Sequence, residues 1–259
     1  MSGTPALAAV VGVFGLVIGS FLNVVIWRVP RHESIVSPPS HCPGCDAEIS
    51  PRDNIPVVSW LILRGRCRHC GKPISPRYPA VEALTGLLFA AAALKLGAHA
   101  ALADYCAFFA VLVALAGIDL DHRLVPRRIV YPAAAVSLVL LAIATVVDGG
   151  TRNYVDALIG GAAAFAALFV VHFVSPRGMG FGDVRLAGYI GLNVGWLGLA
   201  RVAVGLFSGF LFGAVVGVAI MAAGRGGRKT AVPFAPFLAA GAVVAVLFGG
   251  PIVRAWLGP

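Results

Sequence analysis

The chain has 259 residues, 59% of them hydrophobic and only 12% charged, and it carries a net charge of +9. That composition excludes an ordinary soluble domain and a disordered chain. The positive excess is expected to follow membrane topology, with no nucleic acid as a partner.

In chain order, apolar runs fall at residues 4–26, 80–97, 100–118, 129–147, 155–175, 184–200, 202–222 and 232–255. Most approach the ~20 residues that a helix needs to cross a bilayer. Backbone polar groups in lipid must pair within their own segment, so helices are the expected form. The expected fold class is an all-α polytopic membrane protein with about eight transmembrane helices, held in a lipid bilayer. The first run has no Lys or Arg before Arg28, lacks the basic flank of a signal peptide, and reads as a retained span. The sixth run is short and carries Tyr189 and Asn193, which are expected to face a polar cavity. Gly15 and Gly19, and again Gly205, Gly209 and Gly213, have the spacing of close helix–helix contacts.

Loop charges orient the spans. With the loop after the first span in the cytoplasm, Arg28, Arg31, Arg52, Arg64, Arg66, Arg68, Lys72 and Arg77 lie on that side. Arg123, Arg127, Arg128, Arg177, Arg185, Arg225, Arg228 and Lys229 join them. Only Lys95, Arg152, Arg201 and Arg254 fall opposite, which places both termini outside.

Residues 28–79 form one polar, proline-rich segment. Some 50 residues rarely build a sufficient apolar core, and a metal staple would compensate. Cys42-Pro-Gly-Cys45 and Cys67-Arg-His-Cys70 are two CxxC pairs separated by 21 residues. Two thiolates from each complete a closed tetrahedral site for a structural Zn2+, with Cys42, Cys45, Cys67 and Cys70 as ligands. Gly44 and Gly71 are expected to supply the tight turns, and the lone Cys106 is expected to pack in an apolar span. The expected domains are a first transmembrane helix (1–27), a small cytoplasmic zinc-knuckle domain built on the four paired cysteines (28–79) and a multi-span aspartyl protease domain (80–259).

Only 11 Asp and Glu occur in the chain. An acid at the centre of a membrane helix costs about 3 kcal/mol on insertion scales, so acids kept at span ends imply a task. Two such motifs stand out: Gly117-Ile-Asp119-Leu-Asp121 and Gly178-Met-Gly180-Phe-Gly182-Asp183. The loop-charge topology places both at the cytoplasmic edge. Asp119 and Asp121 are roughly 200° apart on a helix, so one partner faces only one of them. Asp119, nearer the apolar run, is expected to face inward and Asp121 the solvated edge. Paired carboxyls titrate together, one taking a proton from water while the other donates to a carbonyl or leaving amine. Helix dipoles suggest acid for Asp119, at the end of a span, and base for Asp183, at the start of one. The acids alone also admit a cation transporter, and the cysteines a metal-bound scaffold without catalysis.

The chain closely resembles the bacterial type IV prepilin peptidase family. The likeness rests on Gly19-Ser-Phe-Leu-Asn23, the two CxxC pairs, Asp53-Asn-Ile-Pro56 with Ser59-Trp60, and Arg64-Gly-Arg-Cys67-Arg-His-Cys70-Gly. It continues through Ile74-Ser-Pro-Arg-Tyr78-Pro, Glu82, Ile118-Asp119 with Pro126, and Gly180-Phe-Gly-Asp183. The C-terminal third matches mainly in hydropathy. The resemblance implies Asp119 and Asp183 as catalytic acids. It implies cleavage of the short basic leader from type IV prepilins or type II secretion pseudopilins at the cytoplasmic face of the bacterial inner membrane. It further implies N-methylation of the new N-terminus, with S-adenosylmethionine as donor, and leaves a leader peptidase without methylation as the alternative. Arg127 departs from the pattern, where an acid or Asn commonly follows the proline.

Overall fold

The computed structural model describes residues 4–176, 178–224 and 232–257. Arg177, Arg225, Arg228 and Lys229, which entered the topology argument, lie outside the described residues. The chain divides into two compact units, Met1–Ala98 and His99–Pro259. No β-sheet forms among the described residues; the strand-like elements are two isolated bridges.

In the first unit, α1 (Pro5–Arg28) and α3 (Arg77–Leu96) are long helices, and α2 (Val58–Ile62) is a short one. Helix α1 begins at Thr4, whose hydroxyl accepts the Leu7 N–H at 3.2 Å, with Pro5 supplying no orphan donor in the first turn. Its three glycines, Gly12, Gly15 and Gly19, lie at the contact with α3. A Cβ on Gly15 would stand 2.9 Å from the Gly86 Cα, and one on Gly19 would stand 2.6 Å from the Glu82 Cα. The helices therefore meet backbone to backbone, as the spacing predicts.

The second unit contains α4 (Ala101–His122), α5 (Arg127–Asp148), α6 (Thr151–Val174), α7 (Phe181–Gly195), α8 (Leu199–Ala222) and α9 (Ala235–Leu257). Helix α4 buries much of its length, with Tyr105, Phe108, Phe109, Leu115 and Ile118 fully buried. Helices α5, α6 and α8 instead turn large apolar side chains outward, Val146 and Phe173 among them. Such outward apolar faces suit lipid rather than water.

Among the described residues, seven helices are long and apolar enough to cross a bilayer. The remaining expected span forms α7, whose 15 residues reach about 22 Å, short of a ~30 Å hydrocarbon core. It is almost wholly enclosed by its neighbours from Val184 to Gly195. Its polar residues pair inside the bundle: the Asn193 amide donates to the Tyr189 carbonyl at 2.9 Å. The Ser137 hydroxyl donates to Asn193 Oδ1 at 3.2 Å, and the Tyr105 hydroxyl donates to the Asn193 carbonyl at 2.7 Å.

Candidate active site and metal centre

The segment between α1 and α3 builds two matching knuckles. The Cys42 N–H donates to the Ala47 carbonyl and the Cys67 N–H to the Lys72 carbonyl, both at 2.9 Å. Within each, the residue after the second cysteine turns back on the first: Asp46 N–H to the Cys42 carbonyl at 2.9 Å, Gly71 N–H to the Cys67 carbonyl at 3.0 Å. These two residues take the left-handed conformation, with φ of 55° and 68°. The turn expected at Gly44 therefore falls at Asp46. What Gly44 provides is room, since a Cβ there would run into the Lys72 side chain, whose Nζ donates to the Gly44 carbonyl at 3.1 Å.

The four sulfurs of Cys42, Cys45, Cys67 and Cys70 lie within 4.8 Å of one another. The Cys42 and Cys70 sulfurs are 3.8 Å apart. A tetrahedral site with Zn–S near 2.3 Å has sulfur–sulfur edges of about 3.8 Å, so the donor set fits such an ion. Backbone N–H groups of Cys70 and His69 pull the Cys67 thiol down to about 6, whereas Cys45 in the same cluster is raised to about 11. Arg68, between two ligands, makes a paired contact with Asp53: Nε to Oδ2 at 2.9 Å and the terminal nitrogen to Oδ1 at 2.6 Å. This ties the second knuckle to the 3-10 turn Pro51–Asn54 and holds the Asp53 carboxyl below its usual range.

In the second unit, Asp119 is 4% exposed near the end of α4, while Asp121 faces outward. The helix stops three residues later because Arg123 adopts φ 51° and its N–H caps the Asp119 carbonyl at 2.9 Å. Asp183 sits in the first turn of α7, its N–H donating to the Gly180 carbonyl at 3.0 Å. The glycine turn before it lies against the α4–α5 loop, and a Cβ on Gly182 would come 2.9 Å from the Val125 Cβ. His172 of α6 anchors the same turn by donating from Nδ1 to the Met179 carbonyl at 2.8 Å. Phe165 and Phe169 pack edge-on against Phe181. The end of α4 and the start of α7 thus converge, and Asp119 and Asp183 come within electrostatic reach of each other.

Three polar features escaped the sequence reading. Asp119 Oδ2 accepts the backbone N–H of Ala235 at 3.0 Å, so the start of α9 is a third element of this site. A positive helix end therefore meets Asp119 as well as Asp183, and the dipole of α4 alone does not separate acid from base. Pro233 and Pro236, bracketing the buried Ala235, were the available signal for a helix start. In the first unit, Glu82 is 8% exposed and Oε2 accepts the Val57 N–H at 2.7 Å. Asp104 is fully buried on α4, and neither carboxylate oxygen has a hydrogen-bond partner among the described residues. It lies about 22 Å along the helix from Asp119, so the converging pair does not include it.

These features define a multi-pass membrane protein with two carboxyls gathered at one end of a helical bundle and a separate four-cysteine cluster. Residues 13–96 match the bacterial peptidase A24 N-terminal domain, and residues 106–249 match the type IV leader peptidase family. The chain is 35% identical to a prepilin leader peptidase/N-methyltransferase of Bacillus subtilis (strain 168), over 97% of this chain and 98% of that one. It is 41% identical to the protein of that name in Myxococcus xanthus, over 87% and 67% respectively. A third, from Aeromonas hydrophila, is 35% identical over 96% and 93%. The chain belongs to the type IV leader peptidase family. No solved structure matches it.

Proposed function

We propose that Asp119 and Asp183 are the catalytic pair of this leader peptidase and that they hydrolyse the bond between the leader and the mature part of a prepilin. The observation that carries the reading is the convergence of the α4 end and the α7 start in a chain of this family. One carboxylate takes a proton from water, whose oxygen adds to the scissile carbonyl. The other carboxyl donates its proton to the carbonyl oxygen and takes it back as the tetrahedral intermediate collapses, while the proton taken from water passes to the departing amine, so the C–N bond breaks as a new acid and a new amine form. The Ala235 N–H holds Asp119 in place for this exchange.

The four cysteines hold a structural Zn2+ that staples the loop between α1 and α3. Four thiolates leave no open position, so the ion takes no part in cleavage. The second activity is methylation of the new pilin N-terminus, with S-adenosylmethionine supplying an electrophilic methyl group when bound. The catalytic face and the zinc segment lie on the cytoplasmic side of the bacterial inner membrane, where the loop charges collect. Purified protein incubated in detergent with a prepilin, with and without methyl donor, tests both activities by mass spectrometry. Intact leader at the end of the reaction would remove the peptidase reading. Cleaved but unmethylated product at saturating donor would leave a peptidase alone.

A further inference from the structure

Arg201, in the first turn of α8, and Arg254, in the last turn of α9, belong to neither the carboxyl pair nor the cysteine cluster. They are two of the four basic residues that the loop-charge topology sets opposite the cytoplasm, the side where Lys and Arg are scarce. Arg201 is within electrostatic reach of Tyr105, which lies about 21 Å along α4 from Asp119. The two arginines therefore stand at the end of the bundle away from Asp119 and Asp183.

The α9 sequence makes them neighbours. Gly249 and Gly250 leave a gap in the side-chain surface of α9, and Arg201 lies in it. A Cβ on Gly249 would stand 3.1 Å from Arg201 Cγ and 3.2 Å from its Cδ. A Cβ on Gly250 would stand 3.1 Å from Arg201 Nη2 and 3.7 Å from Arg254 Nη1. Two guanidiniums thus flank one backbone position. Glycine is a poor helix residue, and its place here is explained by the seat it leaves for the Arg201 stem.

Among the described residues, neither guanidinium has a hydrogen-bond acceptor or a carboxylate partner. Arg152, expected on the same side, has Asp156 at 4.0 Å. Arg201 is half-buried, so water reaches only part of its fork of N–H donors, and the neighbouring like charge repels it. An anion would satisfy both groups at once, and the planar forks match the oxygens of a phosphate. Trp256, 75% exposed, packs against the outward-facing Phe207 with ring centroids 6.2 Å apart. Exposed aromatics near a span end mark the headgroup level of a bilayer. A phosphate at that level is carried by acyl chains, which the apolar outer face of α8 accepts.

We propose that Arg201 and Arg254 together hold the phosphate of an anionic phospholipid at the membrane edge opposite Asp119 and Asp183. A zwitterionic headgroup brings its own cation to a place that already holds two, so the site favours a lipid of net negative charge such as phosphatidylglycerol. The bound phosphate bridges the start of α8 and the end of α9. The site is independent of the peptidase and methylation readings.

The test is native mass spectrometry of the full-length protein in detergent, titrated with phosphatidylglycerol, phosphatidylcholine or inorganic phosphate. Other basic residues also attract anionic lipid, so the readout is the difference between variants. At matched lipid, Arg201→Gln and Arg254→Gln should each hold one phosphatidylglycerol fewer than wild type. The double variant should also lose one, because both guanidiniums hold the same phosphate. Arg152→Gln should hold as many as wild type, and phosphatidylcholine counts should not differ among the proteins. Monodisperse elution checks the fold of each variant, and the exposed Arg254 keeps the test open where Arg201→Gln fails to fold. Equal phosphatidylglycerol counts in wild type and Arg254→Gln would overturn the site, and loss of two lipids in the double variant would overturn the shared phosphate. Displacement of the extra lipid by millimolar inorganic phosphate would make free phosphate the ligand. The same wild-type excess with phosphatidylcholine would overturn the preference for an anionic headgroup.

Discussion

Asp119 and Ala235 are 116 residues apart in the chain, yet the carboxylate of one accepts the backbone N–H of the other at 3.0 Å. A side chain at the last turn of α4 is thus held by the first turn of α9. An N–H to a charged acceptor contributes about 1.5–3 kcal/mol, roughly a 10- to 100-fold effect if it matters mainly in the transition state. Ala235→Pro removes that donor at a helix start, where proline is tolerated. Leader cleavage by Ala235→Pro should fall at least tenfold, while Ala235→Gly, which keeps the N–H, should stay within about threefold. Equal rates in the two variants would show that the donor is irrelevant to cleavage.

The pair itself is tested by isosteric substitution. Asp119→Asn and Asp183→Asn should each lower leader cleavage by at least about 1,000-fold, since neither amide can carry the proton. Asp121→Asn should retain most activity, because Asp121 points outward from the bundle while Asp119 is buried. The measurement is a gel or mass assay of prepilin processing with membrane-inserted, folded variants. Loss confined to Asp121→Asn would mean that the wrong face of α4 was chosen.

Metal analysis tests the knuckles. Protein purified without chelator should carry about one zinc per chain, as four thiolates fill one tetrahedral shell. Cys42→Ser or Cys70→Ser should lower metal content and expose residues 28–79 to proteolysis. Disulfides and no metal in reduced, cytosol-derived membranes would exclude the zinc site.

Close packing of α1 on α3 gives a stability test independent of chemistry. Gly19→Leu would drive a side chain into the Glu82 backbone, 2.6 Å from the first added atom. Overpacking of this kind costs about 1–3 kcal/mol, so thermal stability in detergent should fall by several degrees. Gly217→Leu on α8, where an added Cβ meets no atom within 4 Å, should leave stability unchanged.

Much of the architecture was legible because bilayer crossing imposes a long, local signal. A span must be apolar over about 20 residues, and the seven long helices show that pattern directly. The cysteine cluster was legible for a similar reason: two CxxC pairs each form within four residues, and their four sulfurs meet within 4.8 Å of one another. The glycine contacts at Gly15 and Gly19 followed from their spacing along one helix face.

Helix α7 was less legible, because its 15 residues derive their stability from neighbours that enclose them rather than from their own hydropathy. The α9 amide at Asp119 and the Glu82 restraint on Val57 were invisible for a sharper reason. Both are hydrogen bonds in which one partner is a backbone N–H, a group every residue but proline carries. Residue identity therefore records a carboxylate's presence and its place along a helix, but the donor it meets depends on how distant helix ends pack together.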